Sequence, residues 1–525
     1  RDHLRHVDHD PGSQDLFEPS SLFPFFPWVD LVPVLQQPVA LRRFGDEIMN
    51  GCSTTDEEEA LEPLLSHSVN LSDDYSSIGE RKYTEGEGNL RESNLKKPGK
   101  NSAVAAVFNI VACTVGAGIL SLPGGVASFG WLSLLLLPFI TISAGYTAKL
   151  LIRCMHIVPG KRSNSYREIG IETFGSIGGV ITLILQCTTL VGVCTIFLIL
   201  VGGNMSAVLP WLTFHDIVLI AGVLLIPVSW LKTLREVSFL SYFGVAASVF
   251  CALVVLALGL QFAIDDTPKY EVVSTTSGFF LSFNVLVFSY GGHAVLPTVE
   301  KDMRTPANFP RVINIAFSII ALMYCSVAAV GYAGWGEALV GGSGNILDAA
   351  AASCDHCVIV TIAYVVISFH VFMAFPIPLN PVNLYLEHAF RFHEMSHTKE
   401  LVSRLLLRTG VMVCIIALAM AIPWFGDFLS LVSAISVISM VFVLPILFYV
   451  VLSRRHQVHI AWWKMCVLVF LFLFGVFASV VGVLFAVRAL GCDFATNAPY
   501  SNFFVPASAN HTVESPRNSS WCTPL

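Results

Sequence analysis

Long apolar stretches alternate with short polar ones over most of this chain. A helix needs roughly 20 mostly apolar residues to cross the hydrocarbon of a bilayer, and stretches near that length recur after the first hundred residues. The eleven predicted spans cover residues 103–127, 131–155, 177–205, 215–231, 237–264, 276–298, 309–335, 356–384, 402–422, 424–452 and 463–490. This pattern predicts an all-α polytopic membrane protein with eleven transmembrane helices.

The polar segments outside the spans divide the chain into three parts. Residues 1–100 carry charge runs and Ser/Gly-rich stretches, which predict a largely disordered tail. Residues 101–490 hold the eleven spans, and residues 491–525 form a second polar tail. Lys and Arg concentrate in the loops on the side of the N-terminus, so the positive-inside rule predicts a cytosolic first tail and a lumenal or extracellular second tail.

Modification sites in the second tail agree with this orientation. Asn510 and Asn518 each begin a glycosylation sequon, which makes sense only on the lumenal or extracellular side. Four cysteines are placed on the same side, namely Cys354, Cys357, Cys492 and Cys522. An oxidising lumen permits disulfides among them in three possible pairings. The close spacing of the first two is only a weak metal or redox signal, and we expect a disulfide to the tail instead.

Composition supports a membrane protein and argues against other classes. The chain is 54% hydrophobic and only 13% charged, whereas soluble domains carry roughly 25% charged residues. Motifs for hydrolysis, phosphate binding and metal binding are absent from the sequence. We therefore predict no enzyme, no cofactor, no metal and no nucleic-acid partner. The lipid bilayer is the expected surrounding.

Two of the predicted spans contain interruptions of the same kind. In the first span, Gly116, Gly118 and Pro123 all weaken a helix. In the sixth span, Gly292 and Pro297 repeat the pattern of Gly, four residues and Pro. Two interrupted segments in corresponding halves indicate a transport site near the membrane midplane. The alternative is that the glycines only permit close helix packing.

The interruptions also indicate what could bind there. The half-helix that begins near Ile119 presents free N–H groups and a positive dipole end, which suit a carboxylate. Carbonyls freed near Ser289, Tyr290, Gly291 and Gly292 could accept hydrogen bonds from an ammonium group. A zwitterion needs both kinds of partner, and the pair of interruptions supplies both.

A few further polar residues lie inside the spans, where polar groups are costly and therefore candidates for function. Asn109 either bonds to a neighbouring helix or coordinates a cation. His293 and His370 titrate near neutral pH and could carry a proton, but a buried histidine also serves as a hydrogen-bonded packing residue. Ser368 is a further candidate for ion coupling.

Several motifs together carry a family resemblance. The first interruption contains Phe108-Asn109 and Gly116-Ala-Gly-Ile-Leu120. The other matching stretches are Tyr166-Arg-Glu-Ile-Gly170 with Phe174-Gly175, Phe288-Ser-Tyr-Gly-Gly292 with Pro297, and Asp302-Met303 with Phe309. In this combination the chain resembles the amino acid/auxin permease family over about residues 100–490. That family includes vesicular or vacuolar transporters and proton- or sodium-coupled neutral amino acid transporters.

The resemblance implies a LeuT-like fold, in which spans one to five and six to ten form a 5+5 inverted repeat with broken helices 1 and 6. It also implies secondary active transport of an amino acid substrate by alternating access. The backbone of the two interruptions would line the substrate site. The implied residues are Thr114, Val115, Gly116, Ala117, Gly118, Ser289, Tyr290, Gly291, Gly292 and His293.

The resemblance further implies a cation site where a family member uses one. That site would consist of Asn109, the carbonyls of Ala112 and Val115, and a polar residue of span eight. Sodium-using relatives tend to have Thr or Ser in span eight, whereas here Ser368 is offset and His370 lies close by. We therefore predict coupling to H⁺, with Na⁺ as the alternative ion.

The sequence thus predicts a proton-coupled amino acid symporter or exchanger in an endolysosomal, vacuolar or plasma membrane. A sodium-coupled transporter is one alternative. The other is an amino acid sensor of the same fold, whose long N-terminal tail would bind a cytosolic partner.

Overall fold

A computed structural model describes residues 101–230, 237–265, 268–354 and 357–496. Within these residues the chain is helical, and one isolated β-bridge joins Asn101 to Met303. The helices are α1 (Ala103–Thr114), α2 (Gly118–Phe129), α3 (Leu136–His156), α4 (Tyr166–Val208), α5 (Phe214–Ser229), α6 (Val237–Asp265), α7 (Thr276–Phe288), α8 (Leu296–Asp302), α9 (Phe309–Trp335), α10 (Ile346–Ser353), α11 (Val358–Ala374), α12 (Pro376–Ala389), α13 (His397–Ala421), α14 (Phe425–Val432), α15 (Leu444–Arg455) and α16 (Trp462–Thr496).

Polar residues explain where several of these helices begin. Thr213 and Asp216 form a capping box at the start of α5, in which each side chain accepts a hydrogen bond from the other residue's N–H. The hydroxyl of Ser165 caps α4 by accepting from the N–H of Glu168. The capping residues Ser165 and Thr213 lie in the polar stretches between the predicted spans, and their hydroxyl groups satisfy N–H groups in the first turn of the next helix.

The number of spans agrees only partly with the predicted eleven. Among the described residues, nine helices are long and apolar enough to cross a membrane, and the broken pair α1–α2 makes up to ten. The fourth predicted span corresponds to α5, which has only 16 residues and is therefore about 24 Å long. Because the hydrocarbon of a bilayer is about 30 Å thick, α5 is short for a membrane span and the total of eleven spans remains a prediction.

The interruptions in the first and sixth spans are present. The chain between α1 and α2 leaves the helical path at Val115, and the two halves meet at an angle of 53°. In the sixth span, α7 ends at Phe288 and α8 begins at Leu296, with a single 3₁₀ turn from Gly292 to Ala294 between them. The sequence expectation of two broken helices is confirmed.

Three other helices depart from the predicted spans. Helix α4 begins at Tyr166, well before residue 177, because a short helix joins it across a kink at Phe174 and Gly175. The eighth span divides into α11 and α12 at Phe375, directly before a proline, which cannot continue the backbone hydrogen bonding. The tenth contains two π-helical turns, Ser433–Val437 and Ser439–Val443.

Helix packing brings the two broken spans together. Helix α2 packs along α7, and α1 contacts α8, so the halves of the two spans pair with each other. Helix α9 packs against both α1 and α2, and α6 packs against α1 and α9. We call the end of the molecule where α1 begins the inner end and the opposite end, where α16 finishes, the outer end.

The disulfide expected between Cys354 or Cys357 and the tail is wrong. These two cysteines are joined to each other, with their Cα atoms 5.6 Å apart, since the turn between α10 and α11 brings them together. Cys492 is also disulfide-bonded, whereas Cys522 lies outside the described residues. The sequons at Asn510 and Asn518 and the tail of residues 1–100 lie outside them as well.

The turn after α2 provides a test of the fold. Gly130 has a φ of 91°, and a β-carbon there would lie 2.6 Å from the carbonyl oxygen of Glu271. We expect Gly130→Ala to destabilise the protein by about 1–3 kcal/mol, measured as a lower midpoint of thermal unfolding. Gly203→Ala is the matched control, because no atom lies within 4 Å of its added carbon. An unchanged midpoint for Gly130→Ala would contradict this account of the turn.

Candidate functional site

The two interruptions interlock through small residues and hydroxyl groups. A β-carbon on Gly118 would lie 2.8 Å from the hydroxyl oxygen of Ser289 and 3.1 Å from its Cα. In the opposite direction, a β-carbon on Gly292 would lie 2.8 Å from the hydroxyl oxygen of Thr114. The Ser289 hydroxyl also donates to the Gly118 carbonyl over 3.2 Å. Only glycine fits at these two positions without movement of the partner interruption.

Tyr324 of α9 joins the two interruptions. Its hydroxyl oxygen lies 2.9 Å from the carbonyl oxygen of Thr114 and 2.8 Å from that of Ser289, and the side chain is fully buried. A tyrosine hydroxyl carries one hydrogen and can donate to only one carbonyl at a time. The two carbonyls therefore have more capacity to accept hydrogen bonds than Tyr324 fills, which suits a ligand with several N–H donors.

Other neighbouring spans satisfy further carbonyls of the interruptions. The hydroxyl of Ser248 on α6 donates to the Val115 carbonyl over 2.8 Å. The side-chain amide of Gln186 on α4 donates to the Ala294 carbonyl over 3.2 Å. Each broken span thus takes its missing hydrogen-bond donors from helices that pack on it, as backbone at membrane depth requires.

The start of α2 leaves N–H groups available. Among the described residues, the N–H groups of Ala117 and Gly118 have no backbone acceptor, as expected for the first turn of a helix. Beside them, a β-carbon built on Gly116 meets no atom within 4 Å. Free N–H groups, a positive helix end and open space together form a place where a carboxylate can bind.

Two of the predicted side chains bond to α3 instead of to the opposite interruption. The Tyr290 hydroxyl lies 2.6 Å from that of Thr141. His293 Nε2 lies 3.1 Å from the Ala144 carbonyl oxygen and 3.2 Å from the Thr147 hydroxyl. Because a carbonyl only accepts, Nε2 carries the hydrogen. This is the hydrogen-bonded packing position that the sequence left open for His293.

Two of the predicted cation ligands are hydrogen-bonded to other side chains in this structure. The Val115 carbonyl is bonded to Ser248, while the Ser368 hydroxyl accepts from the Asn204 amide over 3.2 Å. His370 is buried in contact with Gly244 of α6. Asn109 is half-buried. Ala112, on the same half-helix, is also half-buried.

Sequence reasoning missed three residues that serve the interruptions: Ser248, Gln186 and Tyr324. Each is a polar residue inside a predicted apolar span, which is the signal that singled out Asn109 and the histidines. That signal was present, but the helix face that each residue occupies and the partner that it meets depend on how the spans pack.

The inner end holds a buried ion-pair cluster. Glu300 at the end of α8 is fully buried, and its carboxylate contacts the guanidinium of Arg162 and lies 3.0 Å from His156 Nε2. Close by, the chain before α1 is fixed to the chain after α8, because the Asn101 N–H donates to the Asp302 carbonyl over 3.0 Å. These contacts hold the inner halves of both broken spans together.

The arrangement of helices and the paired interruptions are typical of membrane transporters, in which broken helices supply helix ends and bare backbone to the substrate site. A family model described as "Transmembrane amino acid transporter protein" matches residues 99–488, which is most of the chain. The chain therefore belongs to this family of amino acid transporters, and the predicted resemblance is confirmed. The family consists of transporters and not of enzymes.

Curated relatives from Arabidopsis thaliana carry the same description. The chain is 29% identical over 369 residues to amino acid transporter AVT1J, covering 68% of this chain and 85% of the relative. It is 28% identical over 375 residues to amino acid transporter AVT1H, covering 69% and 84%. The family match and the apolar helices of the described residues together establish an integral membrane protein.

Solved structures of Mhp1, a nucleobase-cation-symport-1 family transporter, share the fold. The inward-facing structure matches with a TM-score of 0.50 at 14% identity and covers 85% of this chain and 99% of Mhp1. A closed structure with bromovinylhydantoin bound matches with a TM-score of 0.47, also at 14% identity, and covers 77% and 95%. The predicted LeuT-like fold class is confirmed, and at this identity the likeness concerns the fold alone.

The contact between Gly292 and Thr114 gives a sharp test of the site. We expect Gly292→Ala to reduce amino acid uptake at least about tenfold, because its new methyl group meets the Thr114 hydroxyl. Adding Thr114→Ala removes that oxygen and should restore much of the uptake. Gly118→Ala should not be rescued by Ser289→Ala, since the Cα of Ser289 remains 3.1 Å away. The measurement is uptake into liposomes at equal protein content, and additive losses in the first pair would contradict the interlock.

Tyr324→Phe tests the bridge between the interruptions. The variant keeps the ring but leaves buried carbonyls with one donor fewer, which costs about 1–3 kcal/mol. We expect uptake at low substrate concentration to fall about 5- to 100-fold. Tyr332→Phe on the same helix is the control, because that hydroxyl bonds to the backbone of Glu271 in an outer loop. Equal effects of the two variants on uptake would contradict a role of Tyr324 in the site.

Proposed function

We propose that the protein is a secondary active transporter that carries amino acids across a membrane by alternating access, coupled to protons. The observation that carries this proposal is the pair of interlocked interruptions. The carbonyls of Thr114 and Ser289 can accept more hydrogen bonds than the single hydroxyl hydrogen of Tyr324 can supply. The N-terminus of α2 offers N–H groups that have no backbone acceptor among the described residues. An ammonium group and a carboxylate of one zwitterion match these two surfaces. The names of the relatives point to the same class of substrate.

Coupling to protons is supported by the bonding of the predicted sodium ligands. Sodium needs several oxygen atoms whose lone pairs point at one place. Here the Val115 carbonyl accepts from Ser248 and the Ser368 hydroxyl accepts from Asn204, so these two oxygens serve different partners. His370, two residues after Ser368 in α11, and His293 of the second interruption are the side chains that we propose to carry the proton.

The proposed membrane is endolysosomal, vacuolar or plasma membrane, with the N-terminal tail in the cytosol. Basic residues support this orientation because they concentrate in the loops at the inner end of the molecule, as Lys161 and Arg162 do after α3. In this orientation α10 and the end of α16 face the lumen or the outside.

Reconstitution with independent control of the two ions tests the proposal. Purified protein in liposomes is given a panel of labelled amino acids while internal pH and sodium are set separately. We expect saturable uptake that follows the proton gradient and persists without sodium. Gly118→Leu is the matched inactive control, because its side chain would fill the contact between the interruptions.

Other outcomes of this experiment would overturn parts of the proposal. Uptake that requires sodium and ignores the proton gradient would reject proton coupling and direct attention to Asn109 and Ser368. Saturable binding without flux would reject transport and favour a sensor of the same fold. Flux that does not saturate would reject alternating access.

A further inference from the structure

A half-buried carboxyl group, that of Asp348, lies at the outer end, away from the broken spans. Asp348 belongs to α10, the short helix that connects α9 to α11 outside the membrane-spanning helices. One carboxyl oxygen lies 2.7 Å from the Tyr364 hydroxyl and 3.3 Å from the Asn345 side-chain amide. The other contacts the hydroxyl of Ser343. The carboxyl group therefore has three neighbours that can form hydrogen bonds.

The loop that precedes α10 is anchored to several spans at once. The Asn345 amide donates to the side-chain oxygen of Asn204 on α4 over 2.8 Å. The Ser343 carbonyl accepts from the N–H of Gly426 at the start of α14 over 3.1 Å. Through Asp348 the same loop is tied to Tyr364 of α11. We call residues 341–353, which include α10, the outer cap.

The backbone of the outer cap approaches α14 closely. Gly344 has a φ of 81°, and a β-carbon there would lie 2.7 Å from the Cα of Gly426. A further β-carbon on Gly124 of α2 would lie 3.7 Å from the Cα of Gly344. The cap thus packs on α2, the outer half of the first broken span.

The groups around Asp348 are neutral. Among the described residues, no Lys, Arg or His lies within ion-pair distance of this carboxyl group, whereas buried Glu300 at the inner end contacts Arg162 and lies 3.0 Å from His156. A carboxylate that is partly removed from water and has no neighbouring cation is less stable as an ion. Burial accordingly raises the pKa of Asp348. The hydroxyls of Ser343 and Tyr364 can accept as well as donate, so they also fit a protonated acid.

Other titratable groups on the elements that pack against α10 are few. Helix α2 carries none. Those on the other elements are Tyr242, Cys251 and Asp265 of α6, Glu337 of the turn after α9, Tyr364 and His370 of α11, and Asp427 at the start of α14. Within the described residues, Tyr364 alone among them is hydrogen-bonded to Asp348.

We propose that Asp348 is a proton-binding residue that becomes protonated as the outer cap closes over α2, so that closure takes up one proton from the outer side. The direction follows from linkage. A group whose pKa is higher in the closed state than in the open, solvated state favours closure at low pH, and this contribution is lost as pH rises through the closed-state pKa. The only covalent change is at the Asp348 carboxyl group, whose O–H bond forms on closure with a proton from the outer side and breaks on opening. The outer side is the lumenal or extracellular side of the proposed function, on which this inference rests.

Hydrogen exchange of the outer cap measures closure directly. The full-length protein in lipid nanodiscs, without substrate or gradient, is labelled at several pH values and the rates are corrected for intrinsic exchange. We expect protection of residues 341–353 to rise as pH falls. Asp348→Asn resembles the neutral acid in shape and should keep the cap protected with no dependence on pH. Glu337→Gln, which removes a carboxylate just before the cap, is the matched control and should keep the wild-type profile.

A second variant keeps the carboxyl group. Tyr364→Phe removes a hydrogen-bond donor to the carboxylate, which destabilises the ionised form more than the neutral one. The midpoint of protection should therefore move to higher pH. Because Tyr364→Phe keeps the Asp348 carboxyl group, this variant still tests the proposal if Asp348→Asn folds poorly.

The outcomes separate this inference from the proposed function. The role of Asp348 is overturned if Asp348→Asn keeps the wild-type pH profile of protection. It is also overturned if Glu337→Gln loses that profile to the same extent as Asp348→Asn. So does protection that rises with pH. Exchange does not depend on flux, so uptake that ignores the proton gradient overturns the proposed coupling without touching these results.

Discussion

Backbone groups without helical partners lie at the centre of this protein, and much of the surrounding structure serves to satisfy them. An unpaired N–H or C=O at membrane depth costs several kcal/mol. Tyr324 lies within hydrogen-bond distance of one carbonyl in each broken span and donates to one of them at a time, Ser248 donates to a carbonyl of the first span, and Gln186 donates to one of the sixth. These donors come from three different helices. The way in which these helices pack therefore depends on the two interruptions.

The same requirement explains why the interruptions resist substitution. Their backbones approach so closely that Gly118 faces Ser289 and Gly292 faces Thr114 with no room for a further carbon. The groups that remain available to a ligand are the N–H groups at the N-terminus of α2 and the carbonyls beside Tyr324, which can accept further hydrogen bonds. A site made from backbone groups recognises the part that all amino acids share, which is consistent with a family named for amino acid transport.

The carboxyl groups at the two ends of the molecule have different kinds of partner. At the inner end, Glu300 contacts Arg162 and lies 3.0 Å from His156. At the outer end, Asp348 has only neutral partners among the described residues. Burial raises the pKa of Asp348. The difference makes the outer group the better candidate for responding to pH.

The sequence by itself determined the class of protein, the positions of the broken spans and nearly all helix positions, because these depend on local composition and on glycine and proline. Asn109, Ser368 and His370 were also recognisable as polar residues inside apolar spans. Tertiary structure decided the rest. It placed His293 against α3, paired Ser368 with Asn204, joined Cys354 to Cys357, and brought Tyr324 to both interruptions. Which face of a helix meets which neighbour depends on contacts between residues far apart in the chain, and local patterns do not encode that choice.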